Sequence, residues 1–159
     1  MAACHSLSGG LGKPAAQPKL SHNLGWRHPT MLSHVAIGAN DFERSFHFYS
    51  NLFEALGHRR RFLDPGKLAG WQHQDGGRPF FFLTKPFDGE PASTGNGQMI
   101  ALLADDRATI DRSHAAVLAN GGSCEGPPGL RPHYHPDYYG AYFRDPEGNK
   151  LCICCHKAE

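Results

Sequence analysis

The chain is expected to fold as one α+β domain: two βαβββ modules forming a curved mixed sheet around a concave pocket, with helices on the outer face. Three observations point there. Of 159 residues, 40% are hydrophobic and 19% charged, which supports one core and leaves no room for two. A strand–cap–helix–glycine frame recurs, with Asp41 and Asp106 standing 65 positions apart (106 − 41), as do Gly57 and Gly122. Each frame is followed by short strands separated by turn residues. A repeat too small to hold its own core implies two halves around a shared interior.

Taken in order, the elements begin at Met31. Residues 31–38 read as a buried strand, and Asn40-Asp-Phe-Glu43 resembles a capping box that opens a helix. Phe42, Phe46, Tyr49, Phe53 and Leu56 follow at helical spacing, so their stripe should pack on the core, and Gly57 should end the helix. Strands are expected over 58–63, 68–74 and 79–85, around the turns Asp64-Pro-Gly66 and Asp75-Gly-Gly77. After a Gly/Pro/Ser-rich connector the pattern restarts. It gives a strand over 98–104, a helix over 107–120 with Ile110, Val117 and Leu118 on its face, and strands near 123–126, 139–144 and 150–156. Residues 1–29 are expected to be a flexible N-terminal extension, and residues 30–159 the folded domain.

Composition excludes some functions. With 16 basic against 15 acidic residues and a net charge of +1, no electrostatic case for nucleic acid exists. No run approaches the roughly 18 apolar residues of a membrane span. The five cysteines are an odd number, and Cys152, Cys154 and Cys155 crowd together, which is not a disulfide framework. A cytoplasmic location follows as the default. The eleven histidines invite a metal reading, to be weighed residue by residue.

Alternation along the strands sorts the side chains. Val35 and Ile37 should pack on the first helix, which turns His34 and Ala36 the other way. Met99, Ala101 and Leu103 should share that opposite face with Cys152, Cys154 and His156. Aligning Gly77 with Gly148 adds Phe81 opposite Cys152. His34, Phe81, Met99 and Cys152 are thus expected to line one concavity, the default place for a ligand.

The βαβββ repeat, the strand His34-Val-Ala-Ile with the following Asn-Asp and Phe48-Tyr49, and Asp145-Pro-Glu-Gly-Asn149 together resemble the vicinal oxygen chelate superfamily. That group comprises glyoxalases, bleomycin-resistance proteins and extradiol dioxygenases. The resemblance spans about residues 31–156 and includes Gly129-Leu-Arg-Pro-His-Tyr-His-Pro136. It implies a small-molecule ligand or substrate, a homodimer, and a divalent metal held by the first, fifth and last strands. The metal would act as a Lewis acid on vicinal oxygens. At the implied ligand positions stand His34, which matches, Met99 where the family usually has His, and Cys152 where it usually has Glu.

Those replacements matter chemically. Hard and borderline ions want imidazole and carboxylate, and a neutral thioether binds them poorly. The expectation is therefore a degenerate site without cofactor, in which Met99 and Cys152 fill space in a binding pocket. A divalent metal remains the alternative if His73, His133 or His135 completes a site with His34, giving a lyase or dioxygenase that stabilises an enediolate or bound oxygen.

The remaining candidates each keep two readings. His133 and His135 are a second metal pair or loop packing around Tyr134, with Tyr139 beside them. Arg131 is an anion contact or a solvated surface residue, and Trp71 and His73 line the cavity or pack elsewhere. His47, His58 and His114 are expected at the surface, and Cys154 and Cys155 as inert core thiols.

Overall fold

The computed structural model describes residues 31–159. The expected extension, with Cys4, His5, His22 and His28, lies outside those residues. Element order is β1 (His34–Gly38), α1 (Phe42–Ala55), β2 (His58–Asp64), β3 (Leu68–His73), β4 (Phe80–Thr84), β5 (Ile100–Leu103), α2 (Arg107–Ala119), β6 (Ser123–Leu130), β7 (Tyr139–Arg144) and β8 (Lys150–Cys155). The strands form two mixed four-stranded sheets, ordered β1-β4-β3-β2 and β5-β8-β7-β6. Adding four to each label of the first sheet gives the second, so the sequence repeat is a repeat of topology. β1 pairs in parallel with β4, and β5 with β8; the other pairings are antiparallel. A single helix crosses over within each half, and the two helices pack together.

Asp41 is the N-cap of α1: its carboxylate accepts from the Arg44 backbone N–H at 3.0 Å. The reciprocal half of the expected capping box does not come from Glu43. Glu147, in the β7–β8 turn of the other half, accepts from the Asp41 N–H at 2.9 Å and from the Asn40 amide at 2.9 Å. Asp145 of the same turn accepts from the buried Tyr49 hydroxyl at 2.6 Å. Asp145-Pro-Glu-Gly-Asn149 is therefore a clasp that fastens the second half to the first helix.

α1 buries a wide arc because it faces two neighbours. Tyr49 and Phe53 pack on Trp71 and Phe81 of their own sheet, while Phe48 reaches Phe143 of the other half. α2 departs from expectation. Its buried residues are Thr109, Ile110, Ser113, His114 and Val117, and Leu118 is 46% exposed. The i, i+4, i+7 stripe from Ile110 runs through His114, so a residue expected at the surface is in the core.

The second repeat also shortens by one at its helix end. Gly57 follows the C-cap Leu56 with φ +75°, and its counterpart after the C-cap Asn120 is Gly121, at φ +90°. Gly122 serves a different need. A Cβ there would lie 2.6 Å from Val117 Cγ1 and 2.9 Å from the Arg144 carbonyl oxygen. β6 runs on through Pro127 and Pro128, past its expected end, because it is an edge strand where a missing N–H is tolerated.

Candidate functional site

Alternation places His34 as expected, exposed on the face of the first sheet away from α1. Its ring stacks on Phe82 at 5.1 Å, and its Nδ1 lies 3.2 Å from the Ser33 hydroxyl. Phe62 of β2 closes over Phe80 and Phe82, so this face is an aromatic patch. Phe81 is not part of it. The β1–β4 register pairs Val35 with Phe81 and Ala36 with Phe82, which buries Phe81 against Tyr49 and Phe53. In the second half Ala101 pairs with Cys152. The counterpart of Cys152 is thus Phe82, and aligning Gly77 with Gly148 misses by one residue, enough to exchange faces.

Neither of two hollows among the described residues, one at residues 94–99 and one between the halves, brings Met99 or Cys152 together with His34. Met99, 46% exposed, edges a hollow of about 460 Å³ formed by residues 94–98 with Arg144 and Lys150. Cys152 is fully buried, its Sγ 3.5 Å from the Tyr138 hydroxyl. Burial beside Cys154 holds its thiol well above the usual range, hydrogen bonding to that neighbour being the largest cause. A protonated thiol and a thioether do not suit a hard divalent ion. Among the described residues no three His, Cys, Asp or Glu side chains are grouped to hold a metal. The donor set does not fit the family's metal.

The loop after β6 separates its expected pair. Residues 132–137 turn rather than extend, so alternation does not apply to them. His133 is exposed and packs on Tyr134 at 4.2 Å, whereas His135 Nε2 meets His156 Nδ1 at 2.8 Å. Tyr134 is 60% exposed. Arg131 folds back, donating to the Pro127 carbonyl at 2.7 Å and to the Leu130 carbonyl at 3.1 Å. Tyr139 faces α2, where its hydroxyl donates to Asp111 at 2.9 Å beneath the Arg107 guanidinium.

The largest cavity described, about 680 Å³, is a cleft between the two halves, flanked by the edge strands β1 and β5. Val35, Trp71, Phe80, Phe81, Leu102 and Leu103 supply apolar wall, and His58, His73, Arg78, Asp105, His156 and Lys157 supply polar groups. Trp71, His73 and Phe81 are the expected site residues that reach it. The rings of His58 and His73 stand 5.5 Å apart across the β2–β3 pair. Burial, then the neighbouring His73, lowers the His58 pKa, and its Nδ1 has no hydrogen-bond partner. Counting outward from the Asp64–Leu68 pair would oppose His58 to Gln74; a register shift between Arg60 and Phe62 opposes it to His73 instead, so the sequence did not show this pairing. Arg78 lies over the Phe80 ring at 4.9 Å, and Lys157 is paired to Asp105 at 3.7 Å.

Cys154, contrary to expectation, has an imidazole beside it: His156 Nε2 is 3.8 Å from its Sγ, two residues on and just past the end of β8. Hydrogen bonding from Cys152, with Tyr138 and His156 contributing, lowers this thiol to about 6.

The family model for the glyoxalase/bleomycin resistance protein/dioxygenase superfamily matches residues 31–153. A glyoxalase/bleomycin resistance protein from Albidiferax ferrireducens T118 is 38% identical, with a TM-score of 0.71 over 80% of this chain and 100% of that one. A glyoxalase/bleomycin resistance protein/dioxygenase family enzyme from Burkholderia phytofirmans PsJN is 20% identical, with a TM-score of 0.61 over 79% of this chain and 98% of that one. A lactoylglutathione lyase from Agrobacterium tumefaciens is 24% identical, with a TM-score of 0.55 over 80% of this chain and 95% of that one. The last two likenesses show fold alone. No curated protein matches the chain. By the family match and the 38% identical structure, the chain belongs to the glyoxalase/bleomycin resistance protein/dioxygenase superfamily.

Proposed function

We propose that this protein binds a small aromatic or amphipathic molecule in the cleft between its halves, without the divalent metal its superfamily often uses. The carrying observation is the cleft itself. Its volume of about 680 Å³ suits a drug-sized ligand, and Trp71, Phe80 and Phe81 offer ring surface beside the His58–His73 pair. Burial favours neutral His58, which keeps one ring nitrogen as an acceptor for a ligand O–H or N–H. The poor match of His34, Met99 and Cys152 to a hard cation supports the same reading.

On this reading the protein is a cytoplasmic homodimer. All described cysteines are free, which suits a reducing compartment. Phe62 and Leu63, both exposed on the edge strand β2, offer apolar surface to a second copy. Light scattering tests the dimer directly.

The test of binding uses Trp26→Phe protein, whose remaining tryptophan is Trp71. Titration with planar aromatic compounds, with and without a carboxylate, should quench its fluorescence saturably. A Val35→Phe change, which fills the cleft, should weaken that response at least tenfold. Absence of saturable quenching across the panel, or quenching unaffected by Val35→Phe, contradicts the proposal.

A further inference from the structure

On the face of the second sheet away from α2, five side chains form a polar row that reaches the cleft at His156. The Asp137 backbone N–H donates to His135 Nδ1 at 3.3 Å. That makes Nδ1 an acceptor, so in the neutral ring the proton sits on Nε2. His135 Nε2–H then donates to His156 Nδ1 at 2.8 Å. By the same logic His156 carries its proton on Nε2, which is 3.8 Å from Cys154 Sγ. One backbone amide thus fixes the tautomers of two histidines and turns an N–H toward a sulfur.

Two further groups flank this contact. Cys152 is two residues before Cys154 on the same strand face, and its own sulfur lies 3.5 Å from the Tyr138 hydroxyl. Tyr138 stands edge-on to the His156 ring at 5.1 Å and to His135 at 5.6 Å, holding the row together. An imidazole N–H turned toward the sulfur stabilises the thiolate of Cys154 over its thiol.

We propose that Cys154 is a nucleophilic thiolate site, held by His156 and oriented through His135, that takes small soft electrophiles of the α,β-unsaturated carbonyl class. In the reaction a Cys154 Sγ–carbon bond forms at the β-carbon. The C=C π pair moves to the carbonyl as an enolate, which takes a proton from water, leaving a thioether. Nothing is oxidised and no group leaves. The lowered Cys154 pKa, about 6, agrees with this geometry. Cys154 is 3% exposed, so approach is past the exposed His156 and past Leu103, the 66% exposed neighbour of Cys154 on β5. That narrow access selects small or flat reagents. His156 and His135 are positioning residues here.

The experiment is competitive labelling of the native full-length protein with a limiting amount of methyl vinyl ketone at pH 6.5, followed by peptide mass mapping. Cys124, exposed on β6, is the internal reference. An ordinary thiol with a pKa of about 8.5 is roughly 1% ionised at that pH, so Cys154 should label at least about tenfold faster than Cys124. His156→Gln should abolish that preference and move the Cys154 rate–pH profile upward, with the melting temperature confirming an intact fold. Tyr138→Phe, which keeps the ring, should shift the profile in the same direction by less. Labelling of Cys154 only after denaturation, or an unchanged profile in His156→Gln, overturns the proposal.

Discussion

Tyr49, in the middle of α1, donates a 2.6 Å hydrogen bond to Asp145 in the β7–β8 turn of the opposite half, and neither group is exposed. Asp145 also accepts from the backbone N–H groups of Glu147 and Asn149 and from the Asn149 amide. Removing the tyrosine hydroxyl leaves this carboxylate short of one buried donor. Tyr49→Phe is expected to cost about 1.5–3 kcal/mol, the usual range for a hydrogen bond to a charged group. Urea denaturation checks it, and a loss below about 0.5 kcal/mol would mean the clasp is idle.

Glu147 gives the same clasp a pH dependence. Burial pushes its pKa up, but the Asp41 N–H and Asn40 outweigh this and hold it below its ordinary value. A carboxylate depressed in the fold contributes stability above its unfolded pKa, about 4.3, and loses it as pH falls through the folded value. Glu147→Gln should remove that acid limb and destabilise at pH 7, because its amide would face the Asn40 amide donor. Denaturation midpoints at pH 7, 5 and 3 test this.

Two histidines, His58 half-buried and His114 buried, act at higher pH. Burial lowers the pKa of His58 and of His114. Each is therefore held neutral in the fold, and its contribution is full above the unfolded value of about 6.5 and lost as pH falls below it. His114 Nε2 has no partner, so His114→Leu is expected to keep or raise stability at pH 7.5 and to flatten the loss between pH 7.5 and 5.5. An equal loss in both proteins would contradict this.

The glycines after each helix should respond for different reasons. Gly57→Ala meets no atom within 4 Å but must hold φ +75°, which costs about 1–2 kcal/mol. Gly122→Ala meets Val117, Phe48 and the Arg144 carbonyl, all under 3.0 Å, and overpacking of this kind costs about 1–3 kcal/mol. Gly122→Ser should be no milder than Gly122→Ala, since the obstruction begins at Cβ. Thermal melts of the three variants measure it.

The elements were legible because period and punctuation agree in both halves: Asp caps, Gly ends and turn residues all fall where strands and helices change. Faces were legible wherever a strand could be counted from its own ends, as for His34 and Cys152. They were lost where counting crossed a turn of unequal length, which turned Phe81 to the core. The cleft was only partly legible. It is formed by edge strands of two separate sheets, and strand periodicity carries no information about how sheets lean together. His156 was placed on the right face, yet its contact with His135 depends on a loop whose turns follow no period.

The proposed reading, a cleft that binds a small molecule and a His34–Met99–Cys152 set that holds no metal, is tested by elemental analysis of protein purified without a histidine tag, before and after incubation with Mn²⁺, Fe²⁺, Ni²⁺ and Zn²⁺, then desalted. Less than about 0.1 equivalent of any of these ions per chain is expected, as befits a donor set that includes a thioether and a buried thiol. One equivalent of metal, retained by the native chain and lost in His34→Ala, would contradict it.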